Sequence, residues 1–149
     1  MLLKEVCVLD VASCGPEASI LEAARLMRRH HTGDLIVVDD PAGDCIPLGI
    51  VTDRDIVVEA LANELDPART TVAKIMSARL VIASASEDIS VAIDRMRLHG
   101  VRRVPVVEEG GRLLGIVTLD DVLKLHATQA AALTEIVSKE QGREYRARR

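Results

Sequence analysis

The stretch Gly49-Ile50-Val51-Thr52-Asp53-Arg54-Asp55 has a second copy in the chain, Gly115-Ile116-Val117-Thr118-Leu119-Asp120-Asp121. In each copy a short apolar segment, of the kind that forms a buried strand, runs into a threonine, and an aspartate follows three positions later. A threonine with an acid three residues on is typical of a helix N-terminus with a capping box. The two copies predict two equivalent structural units and two equivalent clefts between them.

The duplication extends well beyond these motifs. An offset of 69 positions relates His30 to His99, and the same offset relates Met27 to Met96 and Val37-Val38 to Val106-Val107. The offset falls to 66 between Gly49 and Gly115, so the first copy carries three extra residues. Pro41-Ala42-Gly43-Asp44 consists of turn-forming residues, which places the insertion in a loop between two strands.

Composition limits the kind of protein this is. The chain has 149 residues, 48% of them hydrophobic, with no Phe, no Trp and only Tyr145 as an aromatic residue. The core and any pocket for a flat ring must therefore be lined by aliphatic side chains. The net charge of −4 argues against nucleic-acid binding, and the basic C-terminus is interpreted as a solvated helix end. No apolar run reaches the roughly 18–20 residues of a membrane span, so no membrane association is expected.

The cysteines and histidines indicate neither disulfides nor metal. Cys7, Cys14 and Cys45 are odd in number and form no CxxC pair, which favours free thiols in a reducing cytoplasm. The N-terminus lacks the build of a signal peptide. His30 and His99 are repeat equivalents at predicted helix ends, where a cationic or capping role explains them, so no metal site is predicted.

Hydrophobic periodicity and turn signals predict the secondary structure. In the first repeat we expect an extended segment at 6–11, a helix at 19–31 stopped by Gly33, strands at 35–38 and 48–52, and a helix from 53 or 54 to about 65. In the second repeat we expect a lead-in at 71–77, an extended segment at 80–82, a helix at 86–99 capped by Ser86, and strands at 104–107 and 113–118. A last helix is expected from about 119 to 139 or beyond, ended near Gly142. These elements predict an α+β fold of two β-α-β-β-α units packed side by side around a pseudo-two-fold axis, with an extended C-terminal helix. The expected domains are 6–66, 72–126 and 127–149.

The repeated Thr-x-x-Asp has two interpretations that are compatible with each other. It is a capping box, in which Thr52 or Thr118 caps a helix and the acid reaches back. It also suits a ribose phosphate, because a helix N-terminus favours phosphate and a carboxylate accepts hydrogen bonds from vicinal sugar hydroxyls.

The chain resembles a tandem pair of cystathionine-β-synthase (CBS) domains, a Bateman module of the small stand-alone bacterial type. The resemblance rests on Gly-Ile-Val-Thr-x-x-Asp in both copies, on His99-Gly100-Val101-Arg102-Arg103-Val104-Pro105-Val106-Val107, and on the linker Val72-Ala73-Lys74-Ile75-Met76. It implies a regulatory, signal-transduction module without catalytic activity or a catalytic cofactor. It also implies adenosyl ligands (AMP, ADP, ATP, NAD(H) or S-adenosylmethionine), association into a flat homodimer, and a downstream partner protein that responds to a ligand-induced conformational change.

The resemblance also implies two sets of ligand-binding residues. One cleft would combine Thr52 and Asp55 with Ile82, Ala83, Val101, Arg102, Val104 and Pro105. The other would combine Thr118 and Asp121 with Ser13, Gly33, Asp34, Leu35 and Ile36. Arg103 corresponds to a position from which a basic residue often reaches phosphates. Asp34 places a negative charge where the second copy has an arginine, so the Asp55 cleft is the stronger candidate for a phosphorylated ligand.

Three alternative functions remain open. The first is an S-adenosylmethionine sensor, and the second is a ligand-independent dimerisation module in which Thr-x-x-Asp is only a helix cap. The third is a nucleotide-hydrolysing enzyme. The last finds no support in the motifs, since no Gly-x-Ser-x-Gly, phosphate loop or Ser/His/Asp arrangement occurs. A non-enzymatic protein is therefore predicted.

Overall fold

A computed structural model describes residues 1–148 of the chain. In chain order its elements are α1 (Leu3–Val6), β1 (Ser13–Cys14), α2 (Ile20–His30), β2 (Asp34–Val38), β3 (Pro47–Thr52), α3 (Asp53–Asp55) continued by a π-helical segment (Ile56–Leu61), a 3-10 turn (Val72–Lys74), β4 (Ala83–Ser84), α4 (Ile89–His99), β5 (Arg103–Val107), β6 (Leu113–Thr118) and α5 (Leu119–Ala147). Residues 1–117 form one compact unit, and the chain from Thr118 onward forms a second. Within residues 1–148, no helix combines the length and the apolar character needed to cross a lipid bilayer.

Each repeat builds a three-stranded sheet, with strand orders β1-β2-β3 and β4-β5-β6. In the first sheet β1 runs parallel to β2, and β2 runs antiparallel to β3 with Asp34 opposite Thr52. In the second sheet β4 runs parallel to β5, with Ala83 opposite Val106. The predicted α+β class with a long C-terminal helix is confirmed.

Strand β2 is buried on both faces, which explains its unbroken apolar sequence. Leu35 and Val37 point into the core of the first repeat. Ile36 and Val38 point to the other face and pack with Ile116 of the second repeat. All four side chains on β2 are fully buried. The two repeats therefore share apolar surface through alternate residues of one strand.

The two repeats exchange their lead-in segments. Val8, in the lead-in segment of the first repeat, exchanges two backbone hydrogen bonds of 2.9 and 3.0 Å with Ile116 of the second. Ser77, in the lead-in segment of the second repeat, exchanges bonds of 3.1 and 2.9 Å with Ile50 of the first. Each sheet is thus extended by the lead-in segment of the other repeat.

This exchange explains the glycine that begins each Gly-Ile-Val-Thr motif. A Cβ atom on Gly49 would lie 2.7 Å from the carbonyl oxygen of Ser77, and one on Gly115 would lie 2.7 Å from that of Val8. Both distances are shorter than any normal contact, so only a residue without Cβ admits the crossing segment.

The chain begins with a helical turn that was not predicted, and the extended segment predicted from Val6 to Val11 overlaps it only at Val6, with Val8 in an antiparallel bridge to Ile116. The short helix α1 places Leu3 in the core, and the Leu3 amide donates to the carbonyl of Glu87 at 2.9 Å. Val72 lies 69 positions later, is equally buried, and donates to the carbonyl of Ala18 at 2.8 Å. The helical turn forms because it buries an apolar side chain under the opposite repeat, a tertiary contact that local spacing does not reveal.

Two helix caps differ from the prediction. Helix α2 spans Ile20–His30, within one residue of the predicted 19–31, but its C-cap is His31 in the left-handed conformation (φ 51°) and not Gly33. The equivalent residue in the second repeat is Gly100 (φ 65°), which takes this conformation without a steric penalty. Helix α4 is capped by Asp88, which accepts from the Ser90 amide at 3.0 Å, and not by the predicted Ser86.

The last turns of two helices also differ from expectation. The helix after Thr52 widens into a π-helical segment and ends at Leu61, four residues before the predicted end. Helix α5 continues through Gly142 to Ala147. A glycine inside a helix costs about 1 kcal/mol, and the good helix formers around Gly142 outweigh that cost.

Candidate functional site

The side chains of Thr52 and Asp55 form a complete capping box at the start of α3. The Thr52 amide and hydroxyl both donate to Oδ2 of Asp55, at 2.8 and 2.9 Å, and the Asp55 amide donates to the Thr52 hydroxyl at 3.1 Å. Within residues 1–148 the second carboxylate oxygen, Oδ1, receives no hydrogen bond from the protein. The cap therefore holds the carboxylate in place and leaves one oxygen able to accept from a ligand hydroxyl.

The first backbone amides of this helix are already occupied. The Asp53 amide donates to the carbonyl of Gly33 at 2.9 Å, and the Arg54 amide donates to the Asp53 carboxylate at 2.8 Å. The third amide, that of Asp55, is taken by Thr52. Backbone amides at these positions are the donors that bind an anion at a helix N-terminus. In this helix all three amides already donate to oxygen atoms of the protein.

Asp34 and Arg103 form an ion pair beside this capping box. Nε of Arg103 lies 2.9 Å from Oδ1 of Asp34, and the Thr32 hydroxyl donates to the same oxygen at 3.3 Å. Nε is closed to solvent, yet its N–H is not directed at the carboxylate, so the contact is an ion pair without an aligned hydrogen bond. Asp34 is only 13% exposed, which strengthens the attraction relative to a surface pair.

This ion pair lies on the same face of the first sheet as the capping box. Asp34 and Thr52 are directly opposite each other on adjacent strands, and side chains at opposed positions project to one face. Arg103 reaches that face from the second repeat. The structure thus brings together Thr52, Asp55, Asp34 and Arg103, although the resemblance placed Asp34 in the other cleft.

The remaining residues assigned to the two clefts differ in accessibility. Ile82 is 40% exposed, Arg102 is exposed, and Val101, Ser13 and Gly33 are partly buried. Five others have fully buried or almost fully buried side chains and can meet a ligand only through backbone groups: Leu35, Ile36, Ala83, Val104 and Pro105. The Ile36 amide is itself used, because it donates to the carbonyl of Ala12 at 3.0 Å.

The second copy of the motif has the same local geometry. The Thr118 amide and hydroxyl donate to Oδ2 of Asp121 at 3.1 and 2.6 Å, and the Asp121 amide donates back at 3.2 Å. The capping-box prediction is confirmed at both positions.

Sequence reasoning missed two features of the site. The Asp53 carboxylate packs against Gly33, and a Cβ atom on Gly33 would lie 2.9 Å from Oδ2 of Asp53. The contact between Asp34 and Arg103 was also missed, although the two residues are repeat equivalents 69 positions apart. That offset is a usable signal, since equivalent positions meet where a pseudo-two-fold axis passes between them.

Metal-ligating side chains are not clustered in the part of the chain that the structure describes. Among residues 1–148 no group of three or more His, Cys, Asp or Glu side chains is arranged to hold a metal ion. Burial raises the pKa of the Cys14 thiol to about 11 and also raises that of Cys7, which keeps both thiols protonated at neutral pH.

Comparisons with known sequences agree with the duplicated architecture. The CBS domain-containing protein YhcV of Bacillus subtilis is 34% identical to this chain over 120 residues, which are 80% of this chain and 81% of the relative. Hypoxic response protein 1 of Mycobacterium tuberculosis is 35% identical over 121 residues, covering 81% of this chain and 82% of the relative.

Solved structures show the same fold. Hypoxic Response Protein I, crystallised with two coordinated zinc ions, has a TM-score of 0.74 at 34% identity, over 83% of this chain and 98% of that one. The CBS domain pair of MJ0100, in complex with 5′-methylthioadenosine and S-adenosylmethionine, has a TM-score of 0.74 at 29% identity, over 87% and 98%. PAE2072 from Pyrobaculum aerophilum, complexed with AMP, has a TM-score of 0.71 at 25% identity, over 81% and 89%.

The family model described as the CBS domain matches this chain twice, at residues 3–61 and 72–127. The first match begins at the N-terminal helix and the second begins at the linker residue Val72. Each match thus starts at a residue, Leu3 or Val72, whose side chain is fully buried. The chain therefore belongs to the CBS domain family and carries two CBS domains in tandem.

Proposed function

We propose that this chain is a non-catalytic regulatory module that binds an adenosyl ligand at the site formed by Thr52 and Asp55. The observation that supports the proposal is the Asp55 carboxylate, whose Oδ2 is held by the Thr52 cap while Oδ1 has no donor within residues 1–148. Vicinal ribose hydroxyls are suitable donors for that oxygen. Two solved relatives contain adenosyl compounds, AMP in one and 5′-methylthioadenosine with S-adenosylmethionine in the other.

The position of the site suggests how binding is transmitted. Asp55 and Thr52 belong to the first repeat, whereas Arg103, which contacts Asp34 beside them, belongs to the second. A ligand seated here changes contacts between the repeats, and it shifts the population of their arrangements by its differential affinity for them. A homodimer, and a partner protein that responds to the altered arrangement, are part of this proposal.

The test compares two carboxylate-to-amide variants, each in a capping box. Asp55→Asn keeps an oxygen that accepts from Thr52 and replaces the outer oxygen by an amide NH2 group, which donates and does not accept. Glu22→Gln is the matched control, because Glu22 accepts from the Ser19 amide at 2.7 Å in the separate capping box at the start of α2. The wild-type protein and both variants are titrated calorimetrically with AMP, ATP, NAD, 5′-methylthioadenosine and S-adenosylmethionine. The thermal unfolding of each protein is followed with each ligand.

We expect at least one ligand to stabilise the wild-type protein and the Glu22→Gln variant equally, by about 2.7 kcal/mol at one hundred times the dissociation constant. The Asp55→Asn variant is expected to lose most of this stabilisation. If no ligand binds, or if Asp55→Asn binds as the wild type does, the proposed function is wrong.

One observation favours a second candidate, a ligand-independent interaction module. Both capping boxes are complete without any ligand, so helix capping alone accounts for the Thr and the Asp. On that alternative, Asp55→Asn and Glu22→Gln have equally small effects on stability, and no adenosyl compound changes the unfolding of any variant.

A further inference from the structure

We propose that the Asp55 site selects adenosine derivatives whose 5′ substituent is neutral or cationic, and discriminates against 5′-phosphates. The residue that sets this preference is Asp34, which neutralises Arg103. The inference rests on the proposed function, because it assumes that Asp55 receives the ribose.

Arg103 is already paired with a carboxylate. Its Nε lies 2.9 Å from Oδ1 of Asp34, and Asp34 is held in turn by the Thr32 hydroxyl. A phosphate that approaches this guanidinium meets a carboxylate at nearly the same distance. The attraction to the cation and the repulsion from the anion then largely cancel.

The N-terminus of α3, the usual alternative anion site, has no free amide in its first turn. The amides of Asp53, Arg54 and Asp55 donate to the Gly33 carbonyl, the Asp53 carboxylate and the Thr52 hydroxyl, respectively. A phosphate therefore finds no unbonded amide among the first three residues of α3. It would have to displace acceptors that the protein itself supplies.

Carboxylates at the end of β3 are held in place by the protein, whereas the arginines there are paired or exposed to solvent. Of the carboxylates of Asp34, Asp53 and Asp55, that of Asp53 accepts the Arg54 amide and that of Asp55 accepts the amide of the capping residue Thr52. Arg103 is paired with Asp34, and the other two arginines of the same segments, Arg54 and Arg102, have side chains exposed to solvent, which screens their charge. A dianionic phosphate is repelled in this setting, whereas a thioether or hydroxyl is tolerated and a sulfonium is attracted.

The experiment measures relative affinity by calorimetric titration with three probes that share the adenosine group. The probes are AMP, 5′-methylthioadenosine and S-adenosylmethionine. They are titrated into the wild-type protein, into Asp34→Asn, and into the double variant Asp34→Asn/Arg103→Gln. Asp94→Asn is the control: it makes the same change in net charge and breaks an exposed aspartate–arginine pair, that of Asp94 with Arg97.

For the wild type we expect 5′-methylthioadenosine to bind at least about tenfold more tightly than AMP. Asp34→Asn is expected to raise the affinity for AMP about tenfold, to leave that for 5′-methylthioadenosine within about threefold, and to lower that for S-adenosylmethionine. The double variant is expected to lose the gain in AMP affinity, because the released cation is absent. Asp94→Asn should match the wild type with every probe.

The failures of the two proposals are distinguishable. If the wild type binds none of the three probes, the proposed adenosyl function fails, and this inference fails with it. If the wild type binds AMP as tightly as 5′-methylthioadenosine or more tightly, the selectivity inference alone is overturned. It is also overturned if Asp34→Asn folds normally and leaves the ratio of the two affinities unchanged. The wild-type ratio decides the matter even if Asp34→Asn does not fold.

Discussion

Replacement of Gly49 by alanine tests whether the exchanged segment stabilises the fold. A Cβ atom at this position would lie 2.7 Å from the Ser77 carbonyl oxygen and 3.0 Å from the Met76 sulfur. The thioether is flexible and can move away. The carbonyl cannot move without lengthening the two hydrogen bonds, of 3.1 and 2.9 Å, that join Ser77 to Ile50.

The expected loss follows from those two bonds. Each backbone hydrogen bond contributes a net stability of about 0.5–1.5 kcal/mol, so losing both costs about 2 kcal/mol at mid-range. Alanine returns about 0.7 kcal/mol at mid-range by restricting the unfolded chain. The free energy of unfolding is therefore expected to fall by about 1.3 kcal/mol. Gly115→Ala should behave alike, because its Cβ would lie 2.7 Å from the Val8 carbonyl oxygen.

Equilibrium unfolding in urea, followed by circular dichroism, measures this loss as a lower transition midpoint. Gly15→Ala is the matched control, since a Cβ there would lie 3.5 Å from the nearest atom, on Pro41, which is an ordinary contact. That variant should be as stable as the wild type or slightly more stable. If Gly49→Ala and Gly115→Ala unfold at the wild-type midpoint, the close contact of the exchanged segments with these glycines does not stabilise the fold.

Two further predictions use the same unfolding assay. The pKa of the Cys14 thiol is raised by burial from its ordinary value of 9.0 to about 11. Because the unfolded thiol loses its proton first, stability holds below pH 9 and falls as the pH rises towards 11, by about 2 kcal/mol at pH 10.5. Cys14→Ala should remove this fall, and an unchanged pH profile in that variant would contradict the assignment. Gly100→Ala should lower the free energy of unfolding by about 1 kcal/mol, because Gly100 is left-handed (φ 65°). At the equivalent position, His31→Gly should leave it unchanged or raise it by up to about 1 kcal/mol. If both variants change stability in the same direction and by the same amount, this reasoning is wrong.

Local patterns in the sequence predicted the parts of the fold that depend on near neighbours. The apolar run Leu35–Val38 lies in a buried strand, and both Thr-x-x-Asp motifs form capping boxes with the expected hydrogen bonds. These features depend on residues a few positions apart. The helical turn at Leu3 was missed because a buried contact with the other repeat determines it. The capping role of His31 was missed because a non-glycine residue takes the left-handed conformation there.

The candidate site could be predicted only in part for the same reason. The residues Thr52 and Asp55 were found from their spacing, and their geometry is local. The pairing of Asp34 with Arg103 joins positions 69 apart. No spacing rule within a single helix or strand indicates such a contact.

The sequence by itself determined that the chain has two like units, each with a buried strand that ends in a threonine-capped, aspartate-bearing helix. It did so because strand periodicity and helix caps are set by side chains within a few residues of each other. Only the tertiary structure decided that each unit is extended by the lead-in of the other, and that Asp34 meets Arg103. Both depend on how the two sheets pack, and a pseudo-two-fold arrangement brings equivalent but unlike residues together at its axis.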